Sequence, residues 1–174
     1  MKVLGRNLRS LAITCLAFIP LVSAIPAQAG PQDVALLKSY VGEWRGRGTI
    51  VGDQQETVVC QLSLREGNED KVNYSGRCAI AGSTLSINGT LAFVDALQRY
   101  EAAMTSNVAF SGIAVGQKRG NGVTFNLRER EQSEGQPVTI TSQIVLNNGA
   151  INVDFQVVYE ESGDTLRASV PFSK

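Results

Sequence analysis

The sequence predicts an all-β fold, an up-and-down antiparallel barrel of about ten strands preceded by one short helix. Three observations predict it. From Glu43 to the C-terminus apolar and polar residues alternate with a period of two, as half-buried strands require. Gly, Asn, Asp and Ser interrupt that alternation at short, regular intervals, marking turns. No connection is long enough to hold a crossover helix, so sequential strands pair antiparallel. A sheet of this many strands ordinarily curls shut and so loses its edges.

Residues 1–29 read as a secretory signal peptide. Lys2, Arg6 and Arg9 carry positive charge with no acid among them. Leu11 to Ile25 is an apolar run interrupted by Pro20, and Ala27-Gln28-Ala29 is a small-x-small cleavage site. The run is too short for the ~20 residues of a membrane span. Cleavage after Ala29 leaves residues 30–174 as one domain with one core, located in the periplasm. It removes three of the 16 basic residues and none of the 16 acids, so the net charge becomes −3. No basic patch is apparent in the linear sequence, which argues against a nucleic-acid partner, and nothing after residue 29 reads as an integral membrane span.

The elements follow in order. Pro31 to Val41 reads as a helix, with Asp33 in its first turn, Val34, Leu37 and Val41 at helical spacing, and Gly42 as a stop. The strands are Glu43–Val51, Glu56–Arg65, Lys71–Ala81, Thr84–Val94, Gln98–Thr105, Val108–Gln117, Val123–Arg130, Gln136–Leu146, Ala150–Glu160 and Thr165–Phe172. The alternation assigns one face to Trp44, Ile50, Val58, Leu62, Leu64, Tyr100, Val108 and their apolar counterparts on the other strands. The arginines fall on the opposite, solvent face, and no charged residue is expected inside. Gly46, Gly76, Gly89 and Gly112 punctuate the inner face. They either let the sheet coil or leave room beside the aromatic residues for an apolar ligand.

Removal of residues 1–29 also removes Cys15, leaving Cys60 and Cys78. If Gly67-Asn68-Glu69-Asp70 closes a hairpin, facing residues have numbers that sum to about 138, and 60 with 78 meets that condition. The two cysteines then sit opposite each other on one face, and in an exported chain they form a disulfide.

A short helix followed by Gly42-x-Trp44-x-Gly46-x-Gly48 on the first strand of a ten-strand meander resembles the calycin group, the lipocalins and fatty-acid-binding proteins. The motif looks closest to the nitrobindin-like families. The resemblance implies a barrel whose tryptophan closes one end beneath the N-terminal helix. Nitrobindins hold haem through a histidine, and this chain has no histidine; no cofactor is expected. Fatty-acid-binding proteins clamp a carboxylate with inward arginines, which the face assignment does not supply.

The absence of histidine removes Ser-His and Cys-His nucleophilic sites and the common zinc sets. The acids gather in turns, where they are solvated rather than paired for acid–base work. The sequence therefore predicts a non-catalytic barrel with no metal site. Its expected function is to bind a small hydrophobic ligand in a lumen lined by Trp44, Tyr100, Met104, Phe110, Phe125 and Phe155. The alternative is a protein-binding barrel, of the kind that inhibits proteases or lysozymes, acting through Gly30–Lys38 or a turn such as Glu66–Lys71.

Overall fold

The computed structural model describes residues 30–80, 82–108, 110–133 and 135–174; the predicted signal peptide and its cleavage site lie outside them. One helix, α1 (Pro31–Lys38), precedes ten strands. These are β1 (Gly42–Val51), β2 (Gln55–Glu66), β3 (Val72–Ile80), β4 (Ser83–Val94), β5 (Arg99–Ser106), β6 (Ser111–Arg119), β7 (Gly122–Ser133), β8 (Gln136–Asn147), β9 (Ala150–Tyr159) and β10 (Thr165–Ser173). Each strand pairs antiparallel with its sequence neighbours, and β1 pairs with β10, so the sheet closes into a barrel. This is the expected fold class. The outer wall carries the arginines and the inner wall the apolar residues, the reverse of a barrel whose outside faces lipid acyl chains. Among the described residues no helix is long and apolar enough to cross a membrane.

Parity decides the interior. Directly paired residues on neighbouring strands point to the same side, and one such row runs Tyr100, Gly116, Phe125, Ile144, Val153 from β5 to β9. Leu37, Trp44, Val58, Val72, Tyr100, Phe125, Leu146 and Ile151 of the core are at most 2% exposed. Two edges of the face assignment need correction. Val108 is 61% exposed rather than inside. The Asn107 side chain accepts from the Ser86 N–H at 2.8 Å and donates to the Thr84 carbonyl at 2.9 Å, adding to the bond from its backbone N–H to the Ser86 carbonyl at 3.1 Å. The backbone leaves the sheet there and rejoins it only at Ser111, three residues later than the alternation suggests.

The second correction concerns charge. Glu56 pairs with Ile50, Glu129 with Ile140, Glu131 with Val138 and Lys118 with Val123, and every one of those partners is buried and inward. The interior therefore holds charged residues, placed at the strand ends, where the carboxylate or ammonium reaches water past the apolar row below it.

Helix α1 ends at Lys38, earlier than the predicted Val41. The Ser39 hydroxyl donates to the Leu36 carbonyl at 2.6 Å, and the tight turn that follows drives Tyr40 into the barrel end. Cys60 and Cys78 are register partners in the β2–β3 hairpin and are bridged. The disulfide is the expected one, on the expected register.

Candidate functional site

The lumen has a capped end and a mouth. Helix α1 makes the cap. Its Leu37 and the following Tyr40 are buried against Trp44, Leu64, Val72, Leu91 and Tyr100. Trp44 donates its indole N–H to the Tyr40 carbonyl at 2.9 Å, and its ring lies 6.1 Å from that of Tyr40. Lys174 completes the joint, with its Nζ 4.9 Å from the Trp44 ring centroid and 3.1 Å from the Val41 carbonyl.

Asp33 latches the cap to the barrel. The Tyr100 hydroxyl donates to its carboxylate at 2.5 Å, and Lys118 Nζ lies 3.2 Å away. The Tyr100 bond is the main reason the Asp33 pKa is lowered; the cation of Lys118 adds to it and partial burial opposes both. The same contact, after burial, pushes the Tyr100 phenol well above its ordinary value. At the other end of the helix Lys38 reaches Asp70 at 3.0 Å and Glu66 at 3.9 Å. Sequence reasoning missed this latch, because Lys118 reads as a turn residue until the register places it inside.

The six residues expected to line the lumen separate into two kinds. Trp44, Tyr100, Met104, Phe110 and Phe125 are 1%, 2%, 7%, 8% and 0% exposed. They form packed core, with Tyr100 edge-on to Phe93 at 5.0 Å and to Phe125 at 6.3 Å. Trp44 belongs to the cap and Phe110 folds inward at the mouth. Phe155 alone is half-buried. Three of the inward glycines do not hold space open, whereas a Cβ on Gly76 would meet Leu62 only at 3.5 Å. A Cβ on Gly46 would lie 2.8 Å from the Phe172 ring, one on Gly116 would lie 2.6 Å from Phe125, and the Tyr74 phenol fills the place above Gly89. Close approach of aromatic rings explains these glycines.

The uncovered interior is elsewhere. Ile144, Val153, Phe155, Val157, Tyr159 and Leu166 all face inward, and all are only part-covered. They form an apolar strip along β8–β10, and half-buried Leu62, Ile80 and Ile87 stand on β2–β4. The mouth above carries Glu56, Glu129 and Glu131 inward, with Glu160 in the β9–β10 turn. The Thr139 hydroxyl and Arg130 hold the Glu160 carboxyl below its usual value. Two shallow concavities, of about 540 and 670 Å³, are lined mainly by outward residues of the wall, and the larger also touches Phe155 of the strip.

Haem finds no fitting ligand set. The Tyr100 hydroxyl is committed to Asp33, that of Tyr74 donates to the Ala103 carbonyl at 3.0 Å, and Met104 is packed. Tyr159 at the mouth is left as a lone phenol, and histidine is absent from the sequence. Among the described residues no three acids or cysteines gather closely enough to hold a metal ion.

No family model matches the chain, and no curated protein matches it. Solved structures do. Rv2717c from M. tuberculosis is 14% identical, with 82% of this chain and 98% of that chain covered and a TM-score of 0.60. The S-type phycobiliprotein lyase CPES from Guillardia theta is 10% identical over 88% of this chain and 96% of that one, with a TM-score of 0.48. At 14% identity the first likeness is one of fold: the chain is a closed antiparallel barrel of ten strands.

Proposed function

We propose that residues 30–174 are an exported, periplasmic barrel that binds a small apolar molecule in its lumen without catalysing a reaction on it. The observation that carries this reading is the uncovered strip of inward apolar side chains on β8–β10. Apolar surface left part-bare inside a barrel is stabilised by an apolar ligand that covers it, at about 25 cal/mol per Å² buried. The carboxylates at the mouth disfavour an anionic amphiphile, so the ligand is neutral or cationic at its polar end. The disulfide fits an oxidising compartment. Native mass spectrometry of the purified protein, with organic extraction of bound material, tests the reading. A stoichiometric extra mass of a few hundred daltons is expected, lost in Val157→Trp, whose indole occupies the strip. A bare polypeptide mass in both proteins sinks the lumen-ligand reading.

A second reading is a protein-binding barrel. It is favoured by Val108, 61% exposed on the β5–β6 loop at the mouth. The two segments expected to carry that function, Gly30–Lys38 and Glu66–Lys71, are instead tied to each other through Lys38 and to the barrel through Asp33. Under this reading the mouth loops hold the partner.

A further inference from the structure

The outer wall sorts its charges in a way that only the register reveals. Across five contiguous strands, β10-β1-β2-β3-β4, the outward positions hold Arg45, Arg47, Arg65, Arg77 and Arg167 against one acid, Glu43. Glu43 is engaged by Arg65 at 3.7 Å. Arg45, Arg47, Arg77 and Arg167 have no ion-pair partner among the described residues. Arg45, Gln61 and Arg77 form one row across β1, β2 and β3, which sets the two arginines about 10 Å apart at their Cα atoms. Arg47 is two residues along β1. Arg167 pairs with Val51, about 13 Å further along the wall.

Apolar side chains stand among these cations. Val59 pairs with Arg47 and is 47% exposed, and Val51 is 48% exposed. Arg45, Arg47, Val59 and Gln61 border the concavity of about 540 Å³ between β10, β1 and β2. Asp154 stands outward on the neighbouring β9, paired with Ser169, and bounds this half at its β10 edge near Arg167.

We propose that this wall is a peripheral docking surface for an anionic phospholipid membrane, the barrel lying on its side against the headgroups. A single soluble anion calls for guanidinium groups that converge on one point, whereas these four are spread over separate headgroup positions. The exposed valines between them suit the apolar boundary beneath the headgroups, which a free anion does not provide. The wall is too polar to enter the acyl region, so the contact is adsorption and its strength scales with the number of arginines near the surface.

The test is co-sedimentation of the purified protein with vesicles of phosphatidylcholine alone and with about 30 mol% phosphatidylglycerol added. Binding is expected to the anionic vesicles only, and to be released as salt rises from about 0.1 M to 1 M and the Debye length shrinks to about 3 Å. The triple variant Arg45→Gln, Arg47→Gln, Arg77→Gln is expected to lose on the order of 100-fold in partitioning, about fivefold per arginine. The triple Arg119→Gln, Arg128→Gln, Arg130→Gln removes the same charge from the far side and is expected to partition as the unmodified protein does. Circular dichroism and Trp44 emission report whether each variant is folded. Equal losses in the two triples would mean a general charge effect and overturn the assignment. So would unmodified protein that ignores the anionic vesicles, that stays bound in 1 M salt, or that binds soluble polyphosphate while leaving the vesicles untouched.

Discussion

Breaking the Cys60–Cys78 bridge is the perturbation whose cost the structure fixes best. The bridge joins residues 18 apart in sequence. In the chain-entropy model a loop of that size gives about 3 kcal/mol at 25 °C, a large share of the 5–15 kcal/mol by which domains are stable. Reduction isolates this contribution, because both sulfurs keep their place in the core, where Cys60 is 2% exposed. The double variant Cys60→Ala, Cys78→Ala removes the sulfurs too and is expected to cost about 1 kcal/mol more for the space they leave. The assay is urea unfolding followed by Trp44 fluorescence. With a slope of about 2 kcal/mol per molar, reduction is expected to lower the midpoint by about 1.5 M. An unchanged midpoint with an unchanged slope would refute the reasoning, since it would mean that the β2–β3 hairpin is already closed in the unfolded chain.

Two further predictions concern packing and protonation. Gly116→Ala places a methyl group 2.6 Å from Phe125 and 2.8 Å from Tyr100, and is expected to destabilise by about 1–3 kcal/mol; a midpoint equal to that of the unmodified protein would show that the rings can retreat. The folded Asp33 carboxyl titrates below its unfolded value near 3.9. Its contribution to holding α1 is therefore complete above that value and fades as pH falls through the lowered one. A change in Trp44 emission is expected below about pH 4, absent in Asp33→Asn; the same acid transition in both proteins would assign it to another group.

The strand count, the β2–β3 register and the disulfide were legible in the sequence because each depends on local alternation and one short turn. The number sum that pairs 60 with 78 holds along the whole β2–β3 ladder, from Val58 with Ile80 to Glu66 with Val72. The inward acids were within reach of the same rule. Glu129 follows Val123, Phe125 and Leu127 at the same parity, but chemical class suggested the outside and parity decided otherwise. What alternation cannot carry is how side chains share the interior. Nothing local tells that Phe125 fills the place above Gly116, or that the aromatic residues expected to face a ligand would pack on one another and leave the strip along β9 open. The hold of the Asn107 side chain on β4 is likewise a contact between residues more than 20 positions apart. Alternation already turns Arg45, Arg47 and Arg65 outward; what linear reading misses is that Arg77 of β3 and Arg167 of β10 join them once the sheet closes.

The pairing of β1 with β10 also bears on when the molecule can finish folding. Arg45 lies beside Ser173 and Val51 beside Arg167, so the first strand waits for the last one made. A growing chain can zip its hairpins one after another, yet until β10 arrives it keeps β1 as an open edge, the kind of template on which other chains aggregate. Closing the seam brings together the most distant parts of the sequence and is the slow step expected of such a topology. During that wait the outward positions of β1 present Glu43, Arg45 and Arg47, and charged side chains on an edge strand repel a stray partner strand. In the interval before closure the arginines of the finished wall thus act as gatekeepers.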